Sequence, residues 1–513
     1  MPRILMLASE ASPFAKTGGL GDVLGALPAA LVERGEDVAV VLPRYRLAEI
    51  PAAERVWLAM PLWVGSHSFT VAIDLTISNG VRYYFVDCPA LFDRTGIYGD
   101  HGVDYPDNHV RFGLLNQAAL GIARYIFKTD VFHCHDWQAG LLAPYLRALD
   151  GDPTFFGART VLTIHNLGYQ GIFLAAAVGD LGLDRSLFHP GGLEFFGNVN
   201  FLKAGIVWSD AITTVSPTYA KEIQTPEYGA GLDGVLRSRA DKLSGILNGV
   251  DYREWDPRND PYLATPYWSD NLFGKAACKR ALLQQMFPDL VQQSVLETGL
   301  PAVSPFDSTS ADSRPADSIP DSNYDLANAE KRPLMGLVSR FAGQKGFDIF
   351  LEIAADVMEE DVAFAVLGSG DAAIENAFRG LARQWPGRFG VHIGYDNALA
   401  HRIEAGTDMF LMPSRYEPSG LSQMYSLRYG TVPIVRATGG LEDTVDGSIS
   451  EGTGFKFEGT SPEELLETTL TALKEWRNQD AWVARMRRGM AKDFSWGASA
   501  AKYRELYRAL RNR

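Results

Sequence analysis

Short apolar runs alternate with helical patterns along this chain, and the rhythm starts twice. Runs of this kind suit strands of a mostly parallel sheet covered on both faces. In the first half they fall at residues 4–8, 37–42, 82–86, 131–134, 160–164, 211–215 and 243–247. Residues 57–64 and 68–75 read as an inserted hairpin turning at Gly65 and Ser66. In the second half the runs fall at residues 334–338, 362–367, 390–393, 409–412 and 432–435, with helical patterns between them, for instance at 346–358 and 420–428. The predicted fold class is therefore α/β, with two doubly wound units. They join near residues 249–257, where Gly, Asp and Pro replace the apolar pattern. The expected division is residues 1–250, residues 251–490 and a terminal helix within 491–513. In that helix Tyr503, Leu506, Tyr507 and Leu510 recur at helical spacing, which suits packing back across the junction.

At 513 residues and 46% hydrophobic content the chain is large enough for at least two cores. Residues 304–323 are rich in Ser, Asp and Pro; too little apolar surface is available there to offset ordering entropy, and a disordered insertion is expected. A net charge of −14 argues against bulk nucleic-acid binding, although a few local cations suffice for a small anionic ligand. Cys88, Cys134 and Cys278 match no zinc spacing and offer no disulfide framework, so a reducing cytoplasm is the expected setting. The first apolar run is too short for a signal peptide, and no stretch has the length of a bilayer span, so no membrane partner is expected.

Polar residues gather directly after the apolar runs, where open α/β sheets bind ligands. Lys16-Thr17-Gly18-Gly19-Leu20-Gly21-Asp22 follows the first run and opens a helix-like segment with Leu24, Leu27 and Leu31 on one face. Glycines let the backbone approach a ligand, and amides at a helix start favour negative charge. Lys16 adds an ammonium, and Asp22 a carboxylate suited to sugar hydroxyls or to the helix start. The loop follows neither the Walker pattern nor the dinucleotide fingerprint. Later run ends carry His135-Asp136-Trp137, His165-Asn166, Asn248-Gly249, Ser339-Arg340 with Gln344-Lys345-Gly346, residues 413–420 around Glu417, and Thr438-Gly439-Gly440. Singly, each has a plainer reading: His135 or His165 as a structural hydrogen-bonding residue, Asp136 as a helix cap, Arg340 and Lys345 as a solvated edge, Gly439-Gly440 as a turn, Tyr395 as a boundary aromatic. Jointly, Arg340, Lys345 and the amides near Gly439-Gly440 form a diphosphate clamp. At ~4 Å and an effective dielectric near 20, a unit-charge pair is worth about 4 kcal/mol. No Asp-x-Asp pair of the kind that holds a divalent ion is evident, and metal independence is expected.

These segments together resemble the bacterial glycogen synthase and plant starch synthase family of retaining glucosyltransferases. The resemblance rests on Lys16-Thr17-Gly18-Gly19-Leu20, His133-Cys134-His135-Asp136-Trp137, Thr163-Ile164-His165-Asn166, Asn248-Gly249-Val250-Asp251, Ser339-Arg340, Gln344-Lys345-Gly346, Ser414-Arg415-Tyr416-Glu417-Pro418 and Thr438-Gly439-Gly440-Leu441. It spans essentially the whole chain except residues 304–323. It implies two facing Rossmann-like domains with an interdomain cleft (GT-B type), and glucose transfer from ADP-glucose to the non-reducing-end 4-hydroxyl of an α-1,4-glucan with retention. The implied partners are ADP-glucose, as co-substrate, and a glycogen or maltooligosaccharide primer, with no further cofactor.

Carried over by position, Lys16, Gly18 and Gly19 contact the donor near its phosphates, and Asp136 and His165 face the glucose and the reacting centre. Arg340 and Lys345 neutralise the leaving diphosphate, Glu417 orients the glucosyl ring, and Thr438, Gly439 and Gly440 offer amides to phosphate. Glu10, Asp22, Asn248, Gln344 and Tyr395 are further donor-pocket candidates. Two positions depart from common patterns: Ser419 stands where many members have Cys, and Tyr425 where the wider superfamily often has a second glutamate. A UDP-glucose-dependent relative, a phosphorylase with a pyridoxal phosphate lysine and a non-catalytic two-domain sugar-binding protein are the alternatives. The last would normally carry an export signal and would not need the Arg340–Lys345 pair.

Overall fold

A computed structural model describes residues 2–46, 48, 50–100, 102–289 and 326–512. The insertion expected at residues 304–323 lies outside the described residues. The chain forms two compact units, Met1–Asp251 with Phe494–Arg513, and Tyr252–Asp493.

The first unit is built on one nine-stranded sheet. In chain order its strands are β1 (Arg3–Leu7), β2 (Asp37–Pro43), β3 (Glu54–Val64), β4 (His67–Ser78), β5 (Val81–Asp87), β6 (Val131–His135), β7 (Arg159–Ile164), β8 (Ala211–Thr214) and β9 (Leu243–Gly245), in the spatial order β9-β8-β7-β6-β1-β2-β5-β4-β3. All pairings are parallel except those of the β3–β4 hairpin and of β4 with β5. β1 is buried from Ile4 onward and β2 from Val38 onward, because helices cover both faces. One face packs against Asn108–Tyr125, whose Phe112, Leu115, Ala119 and Ile122 are wholly enclosed. The other takes Gly19–Glu33 and the C-terminal helix Trp496–Arg511, which seats Ala500, Tyr503, Tyr507 and Leu510 in the same core as Ile4, Val40 and Leu27. Arg504 reinforces that seat by donating to the buried Glu36 carboxylate at 2.9 Å.

The second unit has a six-stranded, wholly parallel sheet: β10 (Leu334–Val338), β11 (Ala363–Gly368), β12 (Phe389–Ile393), β13 (Met409–Met412), β14 (Val432–Arg436) and β15 (Phe455–Phe457), in the order β12-β11-β10-β13-β14-β15. Counted within the unit this is the doubly wound order 3-2-1-4-5-6, which reverses direction between β10 and β13. The helix expected over residues 346–358 runs Phe347–Glu359; Gly346 takes a left-handed φ of 66° and starts it. β15 went unread in the sequence, since three residues are too few to show a period.

Candidate functional site

Both sheets reverse strand order at places that matter. In the first unit the reversal flanks β1, whose neighbours are β2 and β6. Crossovers leave on opposite faces there and open a crevice at the strand ends. Glu10 follows β1 and Asp136 follows β6, so the topology sets the two carboxylates at one crevice.

Glu10 is buried and accepts four hydrogen bonds: Thr17 N at 2.5 Å, Thr17 Oγ1 at 2.7 Å, Gly18 N at 3.3 Å and Tyr98 Oη at 2.5 Å. The amides of Thr17 and Gly18, expected to meet a ligand's charge, meet the protein's own carboxylate here. Glu10 thereby holds the glycine loop against the strand end and sets where helix Gly19–Glu33 begins. Lys16 Nζ lies 2.5 Å from Asp22 Oδ1, in the helix's first turn. Burial pushes the Asp22 carboxyl up, and Lys16 opposes that shift.

Asp136 has a backbone φ of 56°, a strained conformation for a residue with a Cβ. Its carboxylate does not cap the short turn Trp137–Ala139; Oδ1 accepts from His165 N at 2.7 Å. The strain thus swings the side chain across to the end of β7. Burial raises the Asp136 carboxyl to about 7, against the backbone donors of His165 and Asn166, with the charge of Glu10 adding to the rise. Beside it, His135 Nδ1 lies 2.9 Å from His165 Nε2, and burial drives both imidazoles well below the usual histidine range. Asn248, after β9, is buried with its Oδ1 lacking a partner among the described residues.

In the second unit the reversal between β10 and β13 is where Arg340 and residues 413–420 emerge. Lys345 Nζ sits 2.6 Å from Glu417 Oε2, and Ser414 Oγ donates to the same oxygen at 3.1 Å. Gln344 fastens this loop from both ends: its Nε2 donates to Tyr416 O at 3.2 Å and its carbonyl accepts from Arg415 N at 2.8 Å. The short helix Gly439–Thr444 closes the other side, with Gly440 N donating to Glu417 O at 3.0 Å. Gly439 is required here twice over. Its φ is 45°, and a Cβ would lie 2.0 Å from Glu417 O. Arg340 is exposed after β10, and Tyr395 is exposed after β12.

The structure therefore gathers Gln344, Lys345, Glu417, Gly439 and Gly440 in one unit, and Glu10, Gly18, Asp136 and His165 in the other. Gly19 opens the first helix, and Thr438 precedes the short one. Sequence reasoning missed Thr17 as a ligand of Glu10, Tyr98 and Ser414. Tyr98 lies 88 residues from Glu10, and nothing local marks it. Tyr425 stacks on Trp255 at 3.8 Å, with His401 on the other face of the indole at 3.7 Å, so that position serves packing. Among the described residues there is no group of three or more His, Cys, Asp or Glu able to hold a metal ion, and no helix long and apolar enough to cross a membrane.

Two doubly wound units with polar clusters at their strand-order reversals are the architecture of the GT-B glycosyltransferases. Residues 3–238 match the family model of the starch synthase catalytic domain, and residues 319–489 that of the group 1 glycosyl transferases. The glycogen synthase of Koribacter versatilis (strain Ellin345) is 46% identical over 510 residues, which are 98% of this chain and 97% of that protein. The glycogen synthase of Anaeromyxobacter dehalogenans (strain 2CP-1 / ATCC BAA-258) is 46% identical over 515 residues, covering 99% of each. The catalytic domain of starch synthase IV from Arabidopsis thaliana, solved with ADP and acarbose, superposes with a TM-score of 0.85 at 31% identity, covering 100% of both chains. The chain belongs to the glycogen and starch synthase family and is a hexosyltransferase.

Proposed function

We propose that this chain transfers glucose from ADP-glucose to the non-reducing-end 4-hydroxyl of an α-1,4-glucan with retained configuration, acting on a glycogen or maltooligosaccharide primer. The contact between Lys345 and Glu417, 2.6 Å apart on a loop pinned by Gln344 and Gly440, carries the reading. It sets a cation for a leaving diphosphate beside a carboxylate that accepts hydrogen bonds from sugar hydroxyls. The ADP and acarbose of the starch synthase IV structure support a nucleotide donor and an oligosaccharide acceptor. Tyr395, flat and exposed beyond β12, suits the donor pocket.

As the glycosidic phosphate bond breaks, positive charge develops on the sugar ring and negative charge on the diphosphate. Arg340 and Lys345 meet the latter, an interaction stronger in the transition state than in the ground state. A departing phosphate oxygen takes the proton of the incoming hydroxyl, so the reaction needs no protein nucleophile, metal or cofactor. Asp136 and His165 face the glucose, Lys16 and Gly19 face the donor phosphates, and Glu10, holding the amides of Thr17 and Gly18, fixes that loop. Three buried, free cysteines support a cytoplasmic setting.

The test is nucleoside diphosphate release from ADP-glucose and from UDP-glucose with glycogen as primer. Faster turnover of UDP-glucose overturns the choice of donor. Lys345→Ala and Arg340→Ala are expected to lower kcat far more than donor affinity; near-normal turnover in both purified variants removes the mechanism.

A further inference from the structure

His165 is assigned above to the reacting sugar, but a ring at such a place has a second property, namely which nitrogen carries its proton. His135 Nδ1 and His165 Nε2 are 2.9 Å apart, so one of the two donates and the other accepts. Burial keeps both rings neutral, which leaves one proton between the facing nitrogens. The far nitrogens decide which ring owns it. His135 Nε2 is enclosed and has no partner among the described residues, so a proton there leaves an N–H donor orphaned in the core. His165 Nδ1 has no partner among the described residues either, yet it is not enclosed, and an N–H there reaches solvent or a ligand.

The geometry points to His135 as a positioning residue that donates from Nδ1 to His165 Nε2, holding His165 in the Nδ1–H form so that it presents a hydrogen-bond donor to an oxygen of the sugar donor. This rests on the reading that His165 faces the substrate. His135 is itself held in place. His133 lies two residues back on β6 and packs against it, the rings tilted by 36° with centroids 4.1 Å apart. Both nitrogens of His133 are engaged, Nδ1 with Tyr507 Oη at 2.7 Å and Nε2 with Thr163 Oγ1 at 2.6 Å. The C-terminal helix, through Tyr507, therefore backs the pair of rings that fixes the His165 tautomer.

Long-range proton–nitrogen NMR on the full chain with ¹⁵N-labelled histidine tests this, with the His165 signals identified by their loss in His165→Gln. The expected spectrum shows a protonated Nδ1 and a bare Nε2 for His165; a protonated Nε2 overturns the inference. His135→Leu removes the donor and is expected to mix the His165 tautomers and lower kcat ~10-fold or more, with donor KM little changed. His135→Asn returns an amide where Nδ1 stood and should restore both. Wild-type kcat in a folded His135→Leu chain also overturns the inference, and if that variant does not fold the wild-type spectrum decides. Normal turnover by His165→Gln would instead refute the placement of His165 at the sugar, and the tautomer result is read independently of it.

Discussion

Gly440→Ala is the sharpest test of how the Glu417 loop is held. A Cβ on Gly440 would sit 1.9 Å from Ser419 O, 2.5 Å from Ser419 C and 2.6 Å from Ser419 Cα, all of them backbone atoms. Ordinary contact begins near 3.4 Å, so backbone must separate by about 1.5 Å. Ser419 is two residues from Glu417, whose own carbonyl accepts from Gly440 N at 3.0 Å, so the displacement falls on the loop carrying that carboxylate. Overpacking of this kind costs about 1–3 kcal/mol, which a unit of this size tolerates. A misplacement near 1 Å, however, costs about 100-fold in rate when catalysis depends on alignment. The expected result is a folded protein with kcat down ~100-fold, measured as nucleoside diphosphate release at saturating donor and primer. Gly380→Ala is the control: it lies within helix Ala372–Gln384 with nothing within 4 Å of the new methyl, and it should leave kcat unchanged while stabilising by about 0.5–1 kcal/mol. A folded Gly440→Ala enzyme with kcat within threefold of wild type, roughly 0.6 kcal/mol, refutes the claim that this close approach positions Glu417.

Unfolding should depend on pH through His133, His135 and His165. His133 is held down to about 3 by burial, and His135 and His165 are lowered for the same reason. The unfolded chain gains their protons near pH 6.5, so the stability they contribute is full above that value and is lost as pH falls toward 3. His133 and His165, both held at about 3, each cost about 2 kcal/mol at pH 5, and His135 adds in the same direction. Asp136, raised to about 7, runs the other way and returns about 2 kcal/mol between pH 7 and 5, and the raised carboxyls of Glu404 and Asp22 act in its direction, so within the first unit the imidazoles outweigh Asp136. Urea unfolding that is independent of pH across this window contradicts the assignment. Asp136→Asn should abolish a limb of the kcat/KM–pH profile with a midpoint near 7, and a limb that persists in the variant belongs to another group. Lys275 is buried and donates to Ala405 O at 3.0 Å, Tyr429 O at 3.1 Å and Thr431 Oγ1 at 2.7 Å. Lys275→Met removes three buried charge-assisted hydrogen bonds, leaving Tyr429 O with Tyr267 Oη alone, and should destabilise the second unit by about 3 kcal/mol in thermal or urea unfolding; a change under about 0.5 kcal/mol rejects it.

What could be read in advance divides along a physical line. The central parallel strands are visible because burial on both faces demands unbroken apolar runs, and β10 and β13 fall on such runs. The chemistry-bearing residues were visible because they follow those runs directly. Partnerships across the fold were not. The capping reading of Asp136 failed because residue type and position suit a cap, whereas its carboxylate is turned to His165 N by a positive φ that no pattern announces. Glu10 is legible as a polar residue after the first apolar run, but not that the amides of Thr17 and Gly18 donate to it or that Tyr98 reaches it from 88 residues away. In the second unit the same asymmetry holds, since Lys345 and Glu417 could each be named but not their pairing, which is 72 residues long in sequence and 2.6 Å in space. The sequence-local part of such a site is therefore its strand-end placement. The part that selects protonation states, the burial of Asp136 and the contact of His135 with His165, is built from long-range contacts, and only the folded chain contains it.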